Sequence, residues 1–237
     1  MNRVRILTLL VSLMVFVMGM QAKTYLVCVG ISDYPGVKND LRVSANDALT
    51  IQNIFTKNGN TQATSLVNSR ATKLNICNEM KVAFSNATAS DIIILYFSGH
   101  GIPGGLCCYD GQLYYKTIFE IMRKSRVANK VILVDACYAG KMRTTNQKKE
   151  NYSDENVMLF LSSRSKEPSQ ETPYKNSLFT IYLERGLRGG ADIDLNKDIT
   201  ARELYNFVHH GVSQTSGGTQ HPVMWGNFDN DMTIIKW

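Results

Sequence analysis

Ile92–Gly101, IIILYFSGHG, and Val131–Gly140, VILVDACYAG, share one design: an apolar run passes straight into a polar, glycine-bearing turn. One turn delivers His100 and the other Cys137. Unbroken aliphatic runs are the mark of strands buried on both faces of a parallel sheet, and in open α/β sheets the ligand crevice lies beyond the carboxyl ends of the strands. If the two strands are neighbours, about 4.8 Å apart, a base and a thiol meet in that crevice.

Outward from this pair the chain alternates strand and helix. A strand is expected at Tyr25–Gly30, and a helix from Ser44 to Lys57 with Ala48, Ile51, Ile54 and Phe55 at helical spacing. A second strand is expected at Thr64–Asn68, then a helix capped by Thr72 and running to Asn86, with Leu74, Cys77, Val82 and Phe84 among its apolar residues. Gly104–Leu113 suits a small hairpin, Lys116–Ser125 a helix, and Asn129 the start of the strand before Cys137. Val157–Ser162 resumes as a strand, and Ser177–Leu187 suits a helix packing through Leu178, Phe179, Tyr182 and Leu183. The alternation predicts an α/β fold, a three-layer sandwich with a mostly parallel central sheet flanked by helices.

The chemistry open to the pair is nucleophilic catalysis. A free thiol with a pKa of about 8.5 is only a few per cent thiolate at neutral pH, and an adjacent imidazole raises that fraction. His100 would then protonate the leaving amine. Gly101 lets backbone approach a substrate carbonyl, and its N–H together with that of Cys137 would form an oxyanion site. Taken singly, a buried cysteine is usually a small hydrophobe and a histidine a satisfied polar residue; their placement at matching strand ends favours catalysis.

At Ser98-Gly99-His100-Gly101 and Asp135-Ala136-Cys137 the chain resembles the caspase-like cysteine peptidases (peptidase C14), in their bacterial, metacaspase-like branch. The resemblance runs from about Thr24 to the C-terminus and takes in Val29-Gly30-Ile31-Ser32-Asp33-Tyr34 and Asn46-Asp47-Ala48. It departs at Tyr138-Ala139-Gly140, where metacaspases usually have His-Ser-Gly, and at Ser44, where a cysteine is common. The resemblance implies a caspase-like domain over residues 23–237: a p20-like part over 23–140, a linker over 141–155 and a p10-like part over 156–237. It implies an acidic S1 pocket lined by Asp135, Asp47 and Ser98, hence cleavage after Arg or Lys. Asp47 also suits the positive first turn of its helix, and Asp135 a hydrogen bond to a nearby turn. Relatives border the groove with the loop after Ser162, where Arg164 and Lys166 oppose Glu167 and Glu171, and none of these four is assigned to S1.

The 237 residues provide one sizeable core, with no internal repeat or low-complexity tract. Residues 1–22 have the form of a secretory signal: Arg3 and Arg5, an apolar Ile6–Met18, and the exit segment Gly19-Met20-Gln21-Ala22. Export to the periplasm, cell surface or medium is expected, with an uncleaved anchor as the lesser alternative; stable membrane insertion is not expected, because the apolar run falls short of the ~20 residues that span a bilayer. The net charge of +6 comes from scattered residues apart from Lys141–Lys149, which argues against nucleic acid as partner and leaves a protein or peptide substrate. The lysine-rich 141–155 stretch has no apolar periodicity and suits an exposed linker, a target for self-cleavage by an Arg/Lys-specific enzyme or simply a solvated loop. The five cysteines lack zinc-ligand spacing, look mostly like packing residues, and leave any disulfide pairing open.

Asp192, Asp194, Asn196, Asp198, Thr200 and Glu203 stand at positions 1, 3, 5, 7, 9 and 12 of an EF-hand-like loop, a possible metal set. Lys197 occupies position 6, where the sharp turn prefers glycine, and Thr200 equally suits a helix cap. The chemistry requires no cofactor, with calcium an option at this loop or, by resemblance, near the active site. His209-His210, expected at a helix end, and His221, before a last strand, are expected to be structural. Three functions follow in order: an exported cysteine endopeptidase using His100 and Cys137; a catalytically weak caspase-like domain acting as a binding or regulatory module; and a different thiol acyl-transfer enzyme.

Overall fold

Strand β1 (Thr24–Gly30) lies between β2 (Thr61–Val67) and β3 (Ile92–Ser98), parallel to both, in the computed structural model, which describes residues 22–137 and 156–237. Beyond β3 follow β7 (Asn129–Asp135) and β8 (Val157–Leu161), also parallel, and then β10 (Val223–Trp225), antiparallel at the edge. The order β10-β8-β7-β3-β1-β2 puts the two central strands that carry His100 and Cys137 side by side. Every residue of β3 is buried, as is all of β7 after Asn129, which is why both read as continuous apolar runs. Strand β2 is mostly half-buried because it closes the opposite edge, and it starts at Thr61, three residues before its expected beginning.

Alternate residues of β1 face opposite layers. Val27 and Val29 join the core beneath α2 (Lys73–Ser85) and α3 (Tyr115–Lys124). Leu26 and Cys28 join the core beneath α1 (Ser44–Lys57), α4 (Leu178–Arg185) and α5 (Ala201–Thr215). The expected α/β sandwich is therefore the fold observed. Helix α1 buries Ala48, Ile51, Ile54 and Phe55 as its spacing predicts. Helix α2 starts after the Thr72 cap, whose side chain accepts the Asn75 N–H. Of the apolar residues named for it, Cys77 and Phe84 are buried while Leu74 and Val82 are 66% and 59% exposed, and the full buried stripe is Ile76, Cys77, Met80, Ala83 and Phe84. Apolar residues surround this helix, and the i, i+4, i+8 row with the greater volume takes the core.

The expected hairpin after His100 is present as β5 (Gly105–Cys108) and β6 (Gly111–Tyr114), and β4 (Gly101–Ile102) extends it to a three-stranded meander. Other elements depart from expectation. Helix α4 passes into a single wide turn at Gly186–Gly190 rather than running on as α-helix. His209-His210 lies inside α5, which continues to Thr215. The C-terminal β11 (Thr233–Lys236) leaves the main sheet and pairs with β9 (Asp198–Thr200). The expected secretory signal at 1–22 (all but its last residue), Tyr138-Ala139-Gly140 and the expected linker at 141–155 lie outside the described residues. Among the described residues no helix is long and apolar enough to cross a membrane, and all five cysteines are free. Burial pushes the Cys28 thiol far up and the Cys108 thiol up to about 12, as suits packing residues.

Candidate active site

Parallel pairing sets the geometry. Ser98 at the end of β3 is opposite Asp135 at the end of β7, and the Gly99 N–H donates to the Asp135 carbonyl at 3.1 Å. The two turns therefore leave the sheet together. Gly101 rests against the second turn, and a Cβ there would stand 2.7 Å from the Cys137 carbonyl oxygen, so only glycine permits this approach. Ser162, at the end of β8, supports the same turn: its hydroxyl accepts the Ala136 N–H at 3.2 Å and lies 3.3 Å from the Ala136 carbonyl.

His100 and Cys137 are both partly exposed at this end of the sheet. The His100 Nε2 is 2.8 Å from the Asn39 carbonyl oxygen, an acceptor that fixes the proton on Nε2 and leaves Nδ1 without it. The Tyr34 hydroxyl accepts the His100 backbone N–H at 3.0 Å, and the two rings lie 4.9 Å apart between centroids. Tyr34, Asn39, His100, Gly101 and Cys107 border an open cavity of about 480 Å³ beside the histidine. On the other side, the Cys137 Sγ lies 3.9 Å from the Ser169 carbonyl oxygen.

Beneath the turns lie the two acids. Asp47 of α1 is 0% exposed and Asp135 4% exposed, and each is surrounded by donors. Asp47 accepts from the Ser98 hydroxyl at 2.9 Å, the Asn176 amide at 2.9 Å and the Ser177 N–H at 3.0 Å. Asp135 accepts from the hydroxyls of Ser169 and Ser177 and from that of Thr180 at 3.1 Å. Burial, reinforced by the Asp135 charge, pushes Asp47 up to about 7. Burial raises Asp135 as well, against the pull of its hydroxyl donors. Two acids this close and this dry favour holding one proton between them near neutrality.

The structure thus gathers all three expected pocket residues, Asp135, Asp47 and Ser98, but closes them under the segment following β8. Two carboxylates fasten that segment. Glu171 accepts the N–H groups of Arg42 at 2.7 Å and Val43 at 3.2 Å, and Glu167 accepts from the His221 N–H at 2.8 Å and lies 3.0 Å from the His221 Nδ1. The fully buried Gln220 joins them, donating to the Ser162 carbonyl at 2.9 Å and accepting the Gln170 N–H at 3.0 Å. None of Ser169, Asn176, Ser177, Thr180 and Gln220 was legible as a site residue, because short polar residues in an aperiodic loop carry no positional signal. Tyr34 had a weak one, its place in the turn after β1.

The downstream acidic loop splits. Asp192, Asp194 and Glu203 bring carboxylate oxygens within 4.8 Å of one another. Asp198 pairs instead with Lys236 at 3.2 Å, and the Asn196 side-chain oxygen accepts the Asp198 N–H at 2.6 Å. Glu203 forms a capping box with Thr200, and Asp192 accepts N–H bonds from Asn196 and Lys197, so the loop closes on its own donors. His209 Nδ1 is 2.7 Å from the Pro222 carbonyl, a structural contact between α5 and the edge strand.

A family model described as "Caspase domain" matches residues 23–232. Among solved structures, the chain is similar to protein GSU0716 from Geobacter sulfurreducens, with a TM-score of 0.68 and 18% identity over 91% of this chain and 97% of that one. This likeness speaks to the fold alone. No curated protein matches the chain. With the family model spanning nearly all of the sandwich and both turns, the chain belongs to the caspase-domain peptidases of family C14.

Proposed function

We propose that this protein is an exported cysteine endopeptidase that cleaves after Arg or Lys, with Cys137 as nucleophile and His100 as general acid and base. The observation that carries this reading is the tie between the two strand-end turns, with a pair of buried carboxylates directly behind them. Cys137 passes its thiol proton to His100 Nδ1 and attacks the scissile carbonyl carbon as a thiolate, and the N–H groups of Gly101 and Cys137 receive the developing oxyanion. His100 gives a proton to the leaving amine as the thioester forms. It then takes a proton from the water that attacks the thioester and returns it to the departing Cys137 sulfur, so that acid product and free thiol are restored. A thiolate needs no Lewis acid for this chemistry, so no cofactor enters the mechanism. Calcium at the Asp192–Glu203 loop would be structural.

In S1, an arginine or lysine head would face Asp135 and Asp47, a cation matched to acids in a dry site. Its entry requires the Ser169 and Asn176 side chains to give up the carboxylates they hold. That closure also favours a second reading, a domain with weak catalysis that binds a partner. Fluorogenic peptides ending in Arg, Lys or Asp, assayed with wild type and Cys137→Ala, separate the two. Wild-type turnover of Arg and Lys peptides, abolished in the variant and unchanged by EDTA, supports the peptidase. Equal rates in the two proteins would leave the binding module. N-terminal sequencing of protein recovered outside the cytoplasm tests export, with a start near Lys23 expected.

A further inference from the structure

Tyr34 contacts the His100 turn in several ways. Its hydroxyl accepts the His100 N–H at 3.0 Å and donates to the Cys107 carbonyl at 3.2 Å, so it bridges the turn after β3 to strand β5. The same oxygen would stand 2.6 Å from a Cβ at position 99, so Gly99 and the hydroxyl are fitted to each other. The ring lies against the imidazole at 4.9 Å, tilted by 43°. Tyr34 itself is held from below, with its N–H donated to the Asp40 carboxylate at 3.0 Å, and it is 7% exposed.

The short loop from Ser32 to Leu41 therefore places two groups on one histidine. The Asn39 carbonyl engages the imidazole edge, and Tyr34 engages its backbone and face. The loop is itself fixed: the Asn68 side chain accepts the Ser32 and Asp33 N–H groups at 2.9 and 3.2 Å, and the Leu41 N–H returns to the Ser32 carbonyl at 2.8 Å. A carbonyl alone sets one hydrogen bond but leaves the ring free to pivot about it. The ring contact removes that freedom.

We propose that Tyr34 is a positioning residue for His100, fixing the peptide and the ring plane of the histidine so that its Nδ1 is presented to the nucleophile and the leaving amine. The proposal rests on the peptidase reading for its kinetic consequence, but not for its structural one. Tyr34 touches no reacting atom; it acts through His100. Burial holds the phenol far above its ordinary pKa, so the anchor keeps its proton across the working range of the imidazole.

The test uses Tyr34→Phe, which keeps the ring and removes the hydroxyl, and Tyr34→Leu, which removes both. Each is assayed for hydrolysis of the preferred Arg or Lys peptide, for thermal unfolding, and by nitrogen-15 NMR of the His100 ring across pH. The expected result is a kcat lowered about threefold in Tyr34→Phe and about thirtyfold in Tyr34→Leu, with KM within about twofold of wild type. The ring nitrogens of His100 should lose the Nε2-protonated tautomer signature in Tyr34→Leu. Wild-type kcat and an unchanged His100 spectrum in folded Tyr34→Leu would overturn the proposal, as would a lowered melting temperature with neither change. If Tyr34→Leu does not fold, Tyr34→Phe decides by the same readouts. If wild type hydrolyses nothing, the peptidase reading fails, and the His100 spectrum of the variants alone upholds or rejects the positioning role.

Discussion

Ser177 joins Asp47 to Asp135: its backbone N–H is donated to Asp47 at 3.0 Å and its hydroxyl to Asp135. One residue at the start of α4 thereby bridges two acids drawn from α1 and β7. The bridge holds together a pair that would otherwise repel, in a place nearly without water.

This pairing sets a pH dependence. Asp47 has a raised folded-state pKa of about 7 against an ordinary unfolded value, so between roughly pH 4 and 7 the folded state binds more protons than the unfolded state. Stability should therefore fall as pH rises through that window and level off above it. Asp47→Asn should flatten the slope and gain on the order of 2 kcal/mol at pH 8. Urea unfolding from pH 4 to 8 measures this; identical slopes in both proteins would count against the shared proton.

The same substitution bears on specificity. The anionic pair is the form that matches a guanidinium, so kcat/KM for an Arg peptide should rise as pH passes 7. Asp47→Asn should lower it by about tenfold or more. A variant that cleaves Arg peptides as well as wild type would remove Asp47 from S1.

Glu171 fastens the closing segment through the amides of Arg42 and Val43. Glu171→Ala should cost about 1–3 kcal/mol from two charge-assisted hydrogen bonds. It should also speed amide exchange at Gln170–Asn176 and, by freeing the acids sooner, lower the KM for Arg peptides. Exchange mass spectrometry alongside kinetics reads both. Unchanged exchange would show that Glu167 and Gln220 suffice to hold the segment.

Thr200 caps α5 with Glu203 in a reciprocal box. Thr200→Ala should destabilise the fold by about 1 kcal/mol. Calorimetric titration with calcium, set beside Asp192→Ala, tells whether the neighbouring carboxylates also take a cation. Heat lost in Asp192→Ala would place a cation on Asp192, Asp194 and Glu203, and no heat at millimolar calcium would leave the loop to the N–H groups that Asp192 and Asp194 accept.

For the lysine-bearing stretch at 141–155, an Arg/Lys-specific enzyme should process its own chain. Intact masses of wild type and Cys137→Ala, purified in parallel, should differ by the appearance of two fragments in wild type only. Equal masses would reject self-cleavage.

The central strands could be read from sequence because burial on both faces leaves no polar interruption between Ile92 and Phe97 or between Val131 and Val134. His100 and Cys137 stood out because glycine and acid residues mark abrupt ends to such runs. The buried face of helix α2 could not be chosen from sequence, because Leu74 and Val82 are as apolar as Ile76 and Met80, and only packing against the sheet selects among them. The donors around Asp47 and Asp135 were invisible for a different reason: Ser169, Asn176 and Ser177 reach the acids through a loop path with no period to reveal it. The closure of the acid site is accordingly a fact of tertiary structure alone.

Strands β7 and β8 are parallel neighbours with Lys130 to Val134 in register with Val157 to Leu161, and Asp135 on one is clasped by Ser169, Ser177 and Thr180 from the other side of the intervening chain. Scission anywhere between them would leave the pieces locked edge to edge. A nicked molecule would still elute as one particle on a sizing column and come apart only in denaturant, so the cut would show only under conditions that unfold the chain.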